Sequence, residues 1–323
     1  MRCLALARAL MARGAACAML APPPAAGVLE AFAPPELWRI DAPSAVARDL
    51  ATTAREAAGR WAADLVFVDH YDLAGADERQ LGAPAAVIDD LADRDHACRL
   101  LVDPTLGRTA DAYRSLTPAD CRVLTGPEFA LLAPGFAQAR TAALAGRRPQ
   151  DLPRRLLISL GLMDLRGITG AVLELILPLL GEVQVDVVVG SVAPSLPALR
   201  AAAGSDGRIR LHVDSRDMPG LIASADIGIG AGGVSTWERA ALGLPSISVI
   251  LADNQRELAG ELGRRGALLA VEAWTDDLAK DLPSAFTLLI GDGATRKRLS
   301  ETSAALCDGG GADRVAEAIL ALI

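Results

Sequence analysis

The sequence predicts an α/β protein built as two Rossmann-like domains facing across a cleft, and three observations carry that expectation. Short Val/Ile/Leu runs alternate with Ala/Leu-rich segments, as parallel strands buried on both faces alternate with the helices that cover them. The chain has 323 residues, 51% of them hydrophobic, which is more than one core usually organises and ample for burial. A polar, proline-bounded break, AGRRPQDLP at 145–153, precedes a fresh strand, so the expected domains are 1–149 and 150–323.

Strands are expected at 16–21, 65–69, 85–89, 100–103 and 122–125 in the first domain. The second is expected to place them at 156–160, 185–189, 209–213, 226–230, 247–251 and 268–271. The opening MRCLALARALMARGAACAMLAPPPAA looks superficially like a secretion signal, but Arg8 and Arg13 interrupt its apolar stretch, and an amphipathic helix is the better reading. The closing GGADRVAEAILALI reads as a second amphipathic helix able to pack back across the domain junction. Arg147 and Arg148 read as solvated linker charges.

With 40 acidic against 32 basic residues the net charge is −8 and no basic stripe is visible, which argues against a nucleic-acid partner. Aromatic residues make up 3% of the chain, too few for a base-stacking platform or a sugar-stacking lectin surface. The five cysteines are odd in number, widely spaced and never in a CxxC pair, so no zinc spacing is present and a reducing compartment is favoured. No stretch reaches the length of a membrane span, and a cytoplasmic location follows as the default. Oligomeric state is not legible, and a monomer is compatible with the composition.

The most informative stretch is IGAGGVSTWERAALGLPSISVILADNQ, residues 229–255. A strand leads into Gly232 and Gly233, where backbone can approach a ligand that any side chain would block. A helix begins at Ser235, and its free N–H groups suit a diphosphate. Glu238, one turn in, is placed to grip two ribose hydroxyls, but Ser235 and Glu238 at this spacing also make a capping box. The next strand ends in Asp253, Asn254 and Gln255, on the sheet edge where open parallel sheets bind ligands.

In VFVDHYDL the strand ends at Asp69, so His70 and Tyr71 emerge at the carboxyl edge of the first sheet, where chemistry would sit. The alternative packs Tyr71 under a loop and bonds His70 to a backbone carbonyl. Asp89 and Asp90 emerge similarly, either to orient a sugar or to cap the next turn. In LLISLGLMDLRGITG, Leu162 occupies the middle of a turn and cannot readily take a positive φ. Asp164 reads as a turn or helix-cap residue.

Three stretches, VDHYDL, VIDDLADRDHACRLLVDPTLG with GPEFALLAPGF, and GAGGVSTWERAALGLPSISVILADNQ, together resemble the nucleotide-sugar hydrolases of pseudaminic acid biosynthesis, which serve flagellin glycosylation. The resemblance runs over most of the chain. It implies a GT-B-like fold, cleavage of UDP-2,4-diacetamido-2,4,6-trideoxy-β-L-altropyranose at the anomeric carbon by water, and neither metal nor cofactor. It also implies Tyr71 and His70 as catalytic groups, and Gly232, Gly233, Ser235, Thr236 and Glu238 as the nucleotide site. Asp89, Asp90, Asn254 and Gln255 would meet the sugar or proximal phosphate.

Similar proteins open with a strand and a G-x-G-H-x-x-R turn, whereas here only Arg2 of that motif stands and the base histidine is missing from its place. The first domain is thus expected to be incomplete at its N-terminus, through a mis-assigned start or a shortened gene, with two strands left unpaired in a core. About twenty upstream residues would supply a strand and turn. Beside the hydrolase stand two alternatives: a GT-B glycosyltransferase using a UDP-sugar, and a non-catalytic UDP-sugar binder.

Overall fold

The computed structural model describes residues 1–275 and 277–323, the side chains at 24 and 165 excepted. Two compact units form, one from Met1–Pro134 with Gly309–Ile323, the other from Gly135–Asp308.

The first unit holds β1 (Ala18–Ala21), β2 (Trp38–Asp41), β3 (Val66–Val68), β4 (Ala85–Ile88), β5 (Cys98–Asp103) and β6 (Arg122–Thr125). All pairings are parallel, but they form two sheets, β1-β2 and β3-β4-β5-β6. Side chains alternate across β4 as the pleat requires. Ala86 and Ile88 join a core with Leu100 and Val102, while Ala85 and Val87 face Val68, Leu101 and Tyr113 on the other side. The opening helix, Arg2–Met11, gives Ala5, Leu6 and Ala9 to the first of these cores.

The last helix, Gly311–Leu320, adds Ala312, Val315, Ala316 and Ile319 to the same core. Spacings of three and four residues put these on one helical face. Arg13 ties the two terminal helices together through Asp313 (2.6 Å) and Glu317 (3.1 Å).

The second unit carries β7 (Arg155–Ser159), β8 (Gln184–Val189), β9 (Ile209–Val213), β10 (Ile227–Ala231), β11 (Ser246–Ile250) and β12 (Leu269–Glu272). They form one parallel sheet in the order β12-β11-β10-β7-β8-β9. The order reverses between β7 and β10, so the crevice beyond their carboxyl ends is the topological switch point where such sheets take ligands.

The division between units differs from the one expected from the break at 145–153. That segment is hydrogen-bonded into the second unit: Arg296 donates to the carbonyls of Pro149 (3.0 Å) and Asp151 (2.8 Å). Arg147 is not a solvated charge either. Its guanidinium donates to the carbonyls of Ile222 (2.9 Å), Leu242 (2.9 Å) and Ala225, filling acceptors that helix ends leave open. Arg148 remains exposed. The expected β strands are all present; β2 is additional, and its largely exposed WRID has no apolar run to announce it.

Candidate nucleotide site and the carboxyl edges

β10 ends at Ala231 and runs into Gly232 and Gly233 at the switch point. Neither glycine has a positive φ. What Gly232 supplies is room, because a Cβ there would lie 3.1 Å from the Gln255 Cβ and 3.5 Å from the Ser248 Oγ. Gly233 is more open, with the Gln255 Nε2 3.9 Å from where its Cβ would be. Gln255 is held by its own Oε1, which accepts the Leu251 N–H at 3.0 Å. The turn after β11 is thus laid against the turn after β10, and Asn254 stands exposed beside it.

The helix after the glycines spans Ser235–Ala241 with Val234 at its N-cap and no side-chain cap. The capping-box alternative for Ser235 and Glu238 therefore does not hold. Glu238 is half-buried, and burial pushes its carboxyl up from the ordinary range. Thr236 is turned inward: its Oγ1 donates to the Ala231 carbonyl (3.1 Å) and its N–H to the Gly233 carbonyl (2.9 Å). It supports the turn from behind, so the expectation of a direct phosphate contact is corrected for this side chain. Ser235 donates only a long 3.4 Å bond, to the Ala231 carbonyl, so its proton is weakly held.

Nothing in the sequence announced Arg239. It is 3% exposed, donating to Ser235 Oγ (3.2 Å), Thr236 Oγ1 (3.3 Å) and the Ala231 carbonyl (2.9 Å). Arginine one residue past a helical glutamate reads as surface charge, and only the glycines of β10 hint otherwise. A Cβ at Gly228 would lie 3.2 Å from the Arg239 Cδ, and one at Gly230 would strike its guanidinium.

Beyond β7, Gly161 carries the positive φ (+108°) and Leu162 does not, so the leucine is unstrained. Its carbonyl accepts the Gly190 N–H at 3.0 Å. Asp164 is buried and accepts the Thr169 N–H at 2.8 Å, which is a helix-capping use. Arg166 in the same loop lies 4.8 Å from the ring centre of Trp274, whose Nε1 donates to the Leu251 carbonyl at 2.9 Å.

At the carboxyl edge of the first unit, Arg2 grips Asp69 with two bonds (2.6 and 2.9 Å) and Asp90 with a third (3.0 Å). Burial works against the Arg2 charge, but Asp69 and Asp90 more than offset it and hold it ionised. Tyr71 is 47% exposed, and its hydroxyl donates to Asp90 Oδ2 at 3.2 Å. Burial first, and the Asp90 charge second, push its phenol up, so it acts as a donor at neutral pH. The second Asp90 oxygen is buried and accepts no hydrogen bond among the described residues.

His70 and Asp89 are both engaged by neighbouring groups. His70 takes the Asp72 N–H on Nδ1 at 3.1 Å. Of its two readings, Asp89 shows the turn cap: it is 1% exposed and accepts the Ala92 N–H (2.8 Å), together with Arg94 Nη1 (2.8 Å) and Tyr113 OH (3.0 Å). It is the hub of a buried network. Glu78 Oε1 lies 2.7 Å from His96 Nδ1, whose other nitrogen faces Asp89 at 3.8 Å. Burial opposes the His96 charge, but Asp89 and Glu78 together raise its pKa to about 9. Arg94 also bonds the His70 and Leu73 carbonyls, so the network fixes the loops that present Tyr71 and Asp90.

No protein-family model matches the chain. It is 26% identical over 204 residues to the spore coat polysaccharide biosynthesis protein SpsG of Bacillus subtilis (strain 168), a span of 58% of this chain and 59% of that relative. The match thus covers less than two thirds of the relative's length. Among solved structures, MurG of Acinetobacter baumannii superposes with a TM-score of 0.63 at 18% identity, covering 99% of this chain and 95% of the other. The fold is GT-B-like. MnaA of S. aureus, solved with UDP, gives 0.63 at 14% identity over 95% and 96%, and the spinosyn forosaminyltransferase SpnP gives 0.64 at 16% over 99% and 95%. No helix among the described residues is long and apolar enough to cross a membrane.

Proposed function

We propose that the chain is a nucleotide-sugar enzyme whose second unit binds UDP, and that its reaction is hydrolysis of UDP-2,4-diacetamido-2,4,6-trideoxy-β-L-altropyranose to UDP and the free sugar. The observation that carries the nucleotide reading is the half-buried Glu238, free of any capping bond, one turn past glycines that Gln255 packs against. Burial raises its carboxyl, and a partly desolvated carboxylate is strengthened as an acceptor for paired ribose hydroxyls. Gly232, Gly233 and Ser235 would take the phosphates, with Asn254 and Gln255 toward the sugar. The polysaccharide role in the name of the Bacillus relative and the UDP bound to MnaA fit this class.

The hydrolytic step rests on the three resembling stretches. UDP departs as a weakly basic phosphate, so the chemistry needs a positioned water and a group to take its proton. Tyr71 and Asp90 are the groups the first unit presents for orienting water or sugar. The test is UDP release from the purified UDP-sugar in buffer alone. Release that begins only when an alcohol acceptor is added would replace hydrolysis with glycosyl transfer, the class to which SpnP belongs by name. UDP binding without release would leave a binder.

A further inference from the structure

Arg239 is a buried cation without a counter-ion. Its guanidinium bonds only hydroxyl and carbonyl oxygens, with no carboxylate among the described residues paired to it, and its Nε is buried without a hydrogen-bond partner. Two other arginines of this unit, one part-buried and one buried, serve different ends. Arg147 and Arg296 spend their guanidinium groups on carbonyls of helix ends and connecting segments, whereas Arg239 reaches Ser235, Thr236 and the last residue of β10. The strand is cut back to glycine at 228 and 230 to admit it. Burying an uncompensated charge is costly, and the cost shows in a pKa drawn down to about 10 by burial, with Glu238 offsetting only part.

We infer that Arg239 is the built-in counter-charge of the diphosphate, placed behind the glycine turn so that the ligand completes an ion pair the free protein lacks. The inference rests on the nucleotide reading above and deepens it by naming what selects a diphosphate over a bare nucleoside. Two effects act together. The full positive charge attracts the phosphates through a layer of protein where screening by water is weak. The bond from Nη1 to Ser235 Oγ polarises that hydroxyl, which makes its proton a stronger donor to a phosphate oxygen. Arg239 is thus a positioning residue that acts through Ser235 and the turn.

The experiment is a calorimetric titration of uridine and UDP into the full chain and into Arg239→Met and Arg239→Lys. UDP affinity is expected to fall about tenfold or more in the methionine variant, the size of one charge–charge term across a few bond lengths of protein, while uridine affinity stays within about twofold. Lysine keeps the charge and is expected to restore most of the preference for UDP over uridine. An unchanged preference in Arg239→Met overturns the inference, as does equal loss of both ligands, which a merely structural arginine would give. If the methionine variant does not fold, Arg239→Gln takes its place with the same two readouts. A native chain that binds neither ligand would instead sink the nucleotide reading.

Discussion

Gln255 lies so close over Gly232 that a methyl group on the glycine would stand 3.1 Å from the Gln255 Cβ. The two turns that follow β10 and β11 therefore share one small volume, and the position of each depends on the other. Gly232→Ala should push Gln255 and its bond to Leu251 outward, at about 1 to 3 kcal/mol of strain. Thermal melting alongside UDP titration checks it. An alanine variant with native stability and native affinity would mean that the turns move independently.

Glu238→Gln separates a ligand role from a structural one. Burial raises the Glu238 carboxyl, so its ionisation works against folding: the penalty is absent below the unfolded carboxylate range and is complete once the pH exceeds the raised value. Removing the charge should leave the melting temperature at pH 7 unchanged or higher. UDP affinity should fall by roughly 1 to 3 kcal/mol, the range for losing a hydrogen bond to a charged group. Unchanged affinity would take Glu238 out of the site.

Tyr71→Phe removes a hydroxyl that bonds Asp90 Oδ2 at 3.2 Å and little else. Turnover should drop about tenfold to a hundredfold if that hydroxyl orders water or sugar, with UDP affinity as in the native chain. Equal turnover would assign the bond to loop packing alone.

The Glu78, His96 and Asp89 cluster makes the first unit's stability depend on pH. His96 titrates at about 9 in the folded chain, above its unfolded value, so its contribution is fully present below an ordinary histidine pKa and is lost as pH rises through the folded value. His96→Asn should cost on the order of 3 kcal/mol near pH 6 and much less above pH 9.5. Denaturant melts of both proteins across that window report the difference, and a pH-independent gap would show that the ring is neutral throughout.

Arg147→Ala should destabilise the second unit by about 2 to 4 kcal/mol, because several carbonyls lose their donor together. Arg148→Ala, one residue on and exposed, should stay within about 0.5 kcal/mol. Differential scanning calorimetry compares the pair.

These neighbours also show where sequence reading stops. Strands such as Gln184–Val189, buried along almost their whole length, were legible because a sheet covered on both faces needs an unbroken apolar run. Trp38–Asp41 was not, since three of its four residues are exposed and nothing periodic remains. Arg147 in a polar stretch reads as solvent-facing, because the carbonyls that receive it lie 75 to 95 residues away. In the site, the glycines and Gln255 were legible as a cluster at one sheet edge. The letters Asp89 and Asp90 are the same, yet one is a fully bonded hub and the other keeps an oxygen without a hydrogen-bond partner among the described residues. Their different fates depend on His96, Arg94 and Tyr113, which no local spacing connects.

The return of the last helix to the first unit also sets an order of events during synthesis. Residues 1–134 emerge first but lack Val315, Ala316 and Ile319, which close their core. At about 5 to 20 residues per second, translation of the intervening unit takes on the order of ten seconds or more. Throughout that time Ala86, Ile88, Leu100 and Val102 have no covering helix from the end of the chain, while the second unit can already fold. The half of the protein made first is therefore finished last, and in that interval its nascent chain is the natural target of chaperones and proteases.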